Sequence, residues 1–106
     1  MEWERIDVDL ETASFPFETS LAQEPILVFR TPGGYRGVQR HCPHQQFPLT
    51  KAALLGGGTM LKCPLHNFIF RLNDGSPVNC PGHRLQTFDV KEERGQLFGR
   101  VPAATP

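Results

Sequence analysis

Cysteine and histidine are the residues here whose types and spacing could do chemistry, and the chain holds three of the first and four of the second. Most of them fall in two short segments, His41-Cys42-Pro43-His44 and Lys62-Cys63-Pro64-Leu65-His66. Cys42-x-His44 and Cys63-x-x-His66 stand 18 residues apart. Each pair offers one thiolate and one imidazole from a tight loop. A third stretch, Cys80-Pro81-Gly82-His83, repeats part of the text. The chain opens Met1-Glu2-Trp3-Glu4-Arg5, without the basic and apolar regions of a signal peptide. The cysteines are therefore not expected to form a disulfide framework. In a reducing compartment, Cys beside His points to metal binding or catalysis.

Zinc is one metal that a Cys₂His₂ set could hold. The usual zinc pattern puts two Cys on one knuckle and two His on a helix, with C-x₂₋₄-C and H-x₃₋₅-H spacing. Here each loop carries a mixed pair and no amphipathic helix follows. A binuclear iron–sulfur cluster fits the alternation better: two Cys hold one iron, two His the other, and each mixed loop spans both.

The two segments resemble the cluster-binding loops of Rieske [2Fe–2S] proteins. Cys42-Pro43-His44-Gln45-Gln46-Phe47-Pro48-Leu49 follows the family's first motif except at Gln46, and Cys63-Pro64-Leu65-His66-Asn67-Phe68-Ile69-Phe70, closing at Gly75, follows the second except at Asn67. Both departures fall where the family usually has glycine. Asn tolerates a left-handed backbone better than most residues do. The resemblance runs over residues 26–101. It implies one Rieske [2Fe–2S] cluster per chain, with Cys42, His44, Cys63 and His66 as ligands. It also places Cys80-Pro81 in a proline-bearing loop over the cluster, with Cys80 a small buried thiol and His83 an exposed imidazole rather than ligands. His41 adjoins a ligand and is expected to point the opposite way, into solvent. In an oxidised cluster two ferric ions, two sulfides and two thiolates sum to zero, whereas four thiolates would leave a dianion. Histidine ligation therefore raises the potential, to about −150 to +300 mV. High-potential members carry a disulfide between the loops and a Ser after the second His. Phe47 and Leu65 fall about where those cysteines would sit, and Asn67 and Phe68 bring no hydroxyl, which points to the low end of that range.

The elements that must position these loops read as short strands. Gly and Pro contribute 10 residues each, enough for frequent turns without low complexity. Trp3–Leu10 alternates imperfectly and reads as a strand. Leu21–Glu24 reads as at most one helical turn between Pro16 and Pro25. Pro25–Arg30 and Tyr35–Gln39 form a hairpin through Thr31-Pro32-Gly33-Gly34. Lys51–Leu55 reads as a short helix or loop, stopped by Gly56-Gly57-Gly58. That glycine run lacks the Lys-Ser/Thr of a phosphate loop. Thr59–Lys62 and Asn67–Arg71 read as strands flanking the second motif. A last hairpin joins Leu85–Lys91 to Gln96–Val101, and residues 102–106 read as a frayed tail. The expected fold class is all-β: a small Rieske-like antiparallel β-sandwich or barrel over residues 1–106, with a two-loop cluster-binding subdomain at about 40–49 and 61–70.

Formal charge is zero, with 11 basic and 11 acidic residues, so the overall balance gives no footprint for nucleic acid or an anionic membrane. No apolar run is long enough for a membrane span, and a cytoplasmic location is expected. The chain is too short to add an oxygenase domain and lacks a dinucleotide fingerprint. The expected role is a non-enzymatic one-electron carrier between a flavin-dependent reductase and a terminal oxygenase or other redox enzyme. Docking would be transient, through Phe47, Pro48, Leu65 and Pro81. Two alternatives stand beside this: a small Rieske subunit of a larger, nitrite-reductase-like enzyme, and a zinc-stapled interaction module.

Overall fold

The computed structural model describes residues 3–43, 47–64 and 67–101. Nine strands appear among them, in two antiparallel sheets. The larger sheet comprises β1 (Glu4–Ile6), β2 (Phe17–Leu21), β3 (Glu24–Thr31), β4 (Gly34–Gln39), β8 (Thr87–Glu93) and β9 (Gln96–Arg100), in the order β1-β9-β8-β4-β3-β2. Its two edges, β1 and β2, approach each other, and the Ala22 amide donates to the Glu4 carboxylate at 3.1 Å. The sheet is thus a nearly closed barrel. The smaller sheet is a meander of β5 (Ala53–Leu55), β6 (Met60–Lys62) and β7 (Ile69–Arg71).

β3 explains how the two sheets share one molecule. Ile26, Leu27, Val28 and Phe29 are all buried. Successive strand residues face opposite sides, so this run serves two cores. Ile26 and Val28 join Ile6, Leu21, Phe88 and Leu97 inside the barrel. Leu27 and Phe29 join Val38, Leu49, Leu61, Phe70, Leu72, Leu85 and all three cysteines in a second core beneath the small sheet. The register agrees: Val28 pairs with Gly37 and Gly37 with Phe88 on the barrel side, while Leu27 pairs with Val38 and Val38 with Thr87 on the other. Gly37 is needed for space, because a Cβ there would stand 3.0 Å from the Phe88 Cβ.

Arg36 on β4 braces the small sheet against the barrel. Its Nε donates to the Leu72 carbonyl at 2.9 Å, one terminal nitrogen to Asp89 at 3.0 Å, and the other to the Asn73 carbonyl. Asp89 also accepts from Arg100 at 3.2 Å.

The hairpins β3–β4 and β8–β9 form as their turn residues suggest. Three expectations need correction. Leu21–Glu24 is a two-residue hairpin turn joining β2 to β3, not a helical turn: Leu21 pairs with Glu24, and Ala22 and Gln23 take φ of 51° and 67°. Neither residue advertises that geometry. The first strand stops at Ile6 because Asp9 starts a turn. Its carboxylate accepts from the Glu11 amide at 3.0 Å, and its carbonyl accepts from Thr12 and Ala13. Lys51–Leu55 is chiefly strand. A 3₁₀ turn at Leu49–Lys51 leads into β5, which pairs with β6.

Candidate metal centre

Cys42 and Cys63 open two loops of the same construction. The Cys42 amide donates to the Phe47 carbonyl at 2.8 Å, and the Cys63 amide donates to the Phe68 carbonyl at 2.8 Å. Each loop is thus closed five residues after its cysteine, which gives the repeated text C-P-x-x-x-F a structural meaning. Both cysteines are fully buried in the second core, and Phe47 and Phe68 pack against it. The first loop leaves the barrel at the end of β4; the second joins β6 to β7. Asn67 takes φ 55°, the left-handed backbone that Asn tolerates and glycine supplies freely.

The loops differ in what holds them. At the first, Gln39 acts from the barrel. Its side-chain amide donates to the His41 carbonyl at 2.6 Å, and its side-chain oxygen accepts from the Gln86 amide at 2.7 Å. The Arg40 carbonyl accepts from Leu49 at 2.8 Å, and the Arg40 guanidinium donates to the Thr19 carbonyl at 2.7 Å. At the second, a third loop acts from outside. Asn79 accepts from the Ile69 amide at 2.8 Å and donates to the Asn67 carbonyl at 3.1 Å, while the Val78 amide donates to the Ile69 carbonyl at 2.8 Å. Asn79 therefore grips the residue directly after His66. No sequence signal marks it, because its partners are backbone atoms made adjacent by the fold.

Gly75 lets the third loop return. Its carbonyl accepts from the Leu85 amide at 2.9 Å, its φ is 78°, and a Cβ there would lie 1.7 Å from the Leu85 carbonyl oxygen. The glycine that closes the second motif is thus required twice over, by conformation and by contact.

Cys80 is buried as expected, at 4% exposure. Burial holds its thiol above the ordinary pKa; a backbone hydrogen bond at Asn79 opposes this, and nearby negative charge on Cys42 adds to it. Its sulfur lies 3.9 Å from the Ile69 carbonyl, a weak donor contact. His83 is half-buried rather than exposed. Its ring stacks on Phe68, with centroids 6.1 Å apart and planes 22° from parallel. His41 is likewise half-buried, in a bridge with Pro48. Pro48 and Pro81 are exposed. His44, His66, Leu65 and Gln46 lie outside the described residues.

The donor set present suits an iron–sulfur cluster. Two cysteine thiols, fully buried in one apolar core and each at the mouth of a closed loop, are soft ligands in a low-dielectric setting. Cys42 and Cys63 are the described residues that the two loops would offer to such a group.

The sequence profile of the Rieske [2Fe–2S] domain matches residues 5–89. A Mycobacterium tuberculosis protein named for a Rieske 2Fe–2S iron–sulfur centre is 40% identical over 50 residues, which is 47% of this chain and 10% of that protein. This chain therefore spans about a tenth of that relative's length. The ferredoxin component of the alkene monooxygenase system of Xanthobacter autotrophicus is 28% identical over 83 residues, 77% of this chain and 67% of that one. Among solved structures, the ferredoxin of carbazole 1,9a-dioxygenase from Nocardioides aromaticivorans superposes with a TM-score of 0.77 at 16% identity, covering 96% of this chain and all of that one. A small subunit of an NADPH nitrite reductase superposes with a TM-score of 0.78 at 18% identity, covering 94% and 99%. These two likenesses establish the barrel-plus-loops fold.

Proposed function

Because the chain belongs to the Rieske [2Fe–2S] family, we propose that it is a one-electron carrier whose cluster is held by Cys42 and Cys63 on one iron and His44 and His66 on the other. When bound, such a cluster supplies a reversible one-electron couple. The observation that carries the ligand reading is the matched pair of closed loops, each presenting a fully buried cysteine to the same core. The chain's own residues shape the setting. Leu49, Leu61 and Phe70 exclude water from the thiols, Phe47 and Phe68 wall the loops, and Gln39 and Asn79 fix them from opposite sides.

The partners that fit are a flavin-dependent reductase as donor and a terminal oxygenase or other redox enzyme as acceptor. The alkene monooxygenase and carbazole dioxygenase ferredoxins are components of oxygenase systems, which supports this placement. The nitrite reductase small subunit supports a second reading, as the Rieske subunit of a larger reductase. Val78, 44% exposed, is the one exposed large hydrophobic among the described residues. That favours a transient contact over a large permanent apolar interface. Among the described residues no helix is long and apolar enough to cross a membrane.

The test is chemical. Protein purified without oxygen should carry about two irons and two acid-labile sulfides per chain. Its visible absorption should bleach and return in one reversible electron step. Stoichiometric zinc without sulfide would refute the carrier reading.

A further inference from the structure

The zero net charge of this chain conceals a separation. Residues 40–86 hold the three loops and the small sheet. They carry Arg40, Lys51, Lys62, Arg71 and Arg84 against Asp74 alone, a net charge of +4. Because the whole chain is neutral, the remainder carries −4. The polarity therefore follows the architecture, with a cationic cluster lobe on an anionic barrel.

The ion pairs sharpen this separation. In the barrel, three of the six cations are ion-paired among the described residues. Arg36 and Arg100 share Asp89, Lys91 meets Glu93, and Lys91 and Arg100 flank the Trp3 ring at 4.5 and 4.4 Å. In the lobe, Arg40 approaches Glu18 at 3.8 Å. Lys51, Lys62, Arg71 and Arg84 make no ion pair among the described residues. Lys51, Arg71 and Arg84 are exposed, and Lys62, directly before Cys63, is half-buried. Asp74, the lone acid, is tied up by the Ser76 amide at 2.8 Å. Pro48, Pro64, Val78 and Pro81 are exposed on the same three loops. The lobe thus presents both exposed apolar residues and cations, the mixture that transient protein interfaces combine.

We propose that this lobe is the docking surface for an acidic face on the carrier's redox partner, and that the molecule's charge separation turns the cluster end toward that face before contact. Complementary potentials raise encounter rates and set orientation more than they raise affinity. The exposed apolar residues favour a protein over a polyanion, whose binding would use the cations alone. The proposal rests on the electron-carrier reading.

The experiment uses the cluster-loaded, full-length protein and two small oxidants of opposite charge. Each takes one electron from the reduced protein: ferricyanide becomes ferrocyanide, and tris(phenanthroline)cobalt(III) becomes the cobalt(II) complex. With ferricyanide the rate should fall about fivefold or more from low to high salt, whereas with the cobalt complex it should rise. Lys51→Gln/Lys62→Gln should remove most of the ferricyanide salt effect. Asp7→Asn/Glu11→Gln, an equal charge change on exposed barrel residues, should alter it less than twofold. Equal and opposite effects of the two double variants would mean that only total charge matters, and would overturn the proposal. So would salt-independent rates with both oxidants. In parallel titrations at one salt concentration, phosphatidylserine vesicles or duplex DNA binding as tightly as poly-L-glutamate would assign the surface to polyanions in general. Head-to-tail association at low salt in the ultracentrifuge would assign it to a second copy. Either result overturns the redox-partner assignment. Protein that binds no iron fails the carrier reading before any rate is measured, so the two failures are distinguishable.

Discussion

The two cysteine loops are alike in closure and unlike in support. Each is sealed by a Cys amide on a Phe carbonyl at 2.8 Å. The first is pinned from the barrel through Gln39 and Arg40, and the second from the third loop through Asn79 and Val78. The comparison separates two kinds of information. Closure is local and repeats as text, because a short loop repeats when its sequence does. Anchoring is long-range and differs, because the loops leave different sheets.

The largest effects should strike both loops alike. Cys42→Ser and Cys63→Ser should each abolish the visible absorption, whereas Cys80→Ser and His83→Ala should keep it. Unequal loss between the first two would break the symmetry claimed for the loops. Gly75→Ala should follow. It combines a positive φ with a 1.7 Å overlap on the Leu85 carbonyl, so unfolding in denaturant should show a loss of about 3 kcal/mol or more. That loss would come through the third loop and hence the second cysteine loop.

The next pair sharpens the contrast. Gln39→Ala strands the His41 carbonyl and the Gln86 amide, and should cost about 1–2 kcal/mol. Asn79→Ala frees more exposed groups, which water can satisfy, and should cost about 1 kcal/mol. Both should shift the reduction potential while leaving the iron content intact. Unchanged potentials would make both residues purely structural. At Asn67, a valine should cost about 1–2 kcal/mol because of its left-handed backbone, and a glycine should stay within about 0.5 kcal/mol of the native protein.

The smallest effect is a pH dependence. Hydrogen bonds from Ser76 hold the Asp74 carboxyl below its ordinary pKa, with help from Arg84 and Arg71. A depressed folded-state pKa adds stability above the unfolded value, and that stability is lost as pH falls through the folded value. Asp74→Asn should therefore lower stability slightly at neutral pH and flatten the acid limb of a stability-against-pH curve, so that variant and native protein converge in acid.

Much of this was legible beforehand. The ordered Cys and His text marked both loops, Asn67 announced its backbone, and glycine-bearing turns placed the β3–β4 and β8–β9 hairpins. β2 was hidden because Ala22 and Gln23 bend left-handed without glycine or asparagine, so Pro16 and Pro25 read as punctuation around nothing. β5 was hidden because three residues are too few for a period; pairing with β6 decides it. Gln39 and Asn79 were invisible because both act on backbone atoms brought near only by folding. His83 looked exposed because its contact is Phe68, fifteen positions back along the chain. A neutral total charge hid the opposed halves.

The central claim is the asymmetric ligand set, two sulfurs from the chain on one iron and two nitrogens on the other. Electron–nuclear double resonance on the dithionite-reduced protein tests it most directly. The expected result is a paramagnetic [2Fe–2S] signal coupled to two histidine nitrogens, unchanged in His83→Ala and reduced to one coupling in a cluster-retaining His66→Cys. A signal without nitrogen coupling, or a silent sample containing zinc, would contradict it.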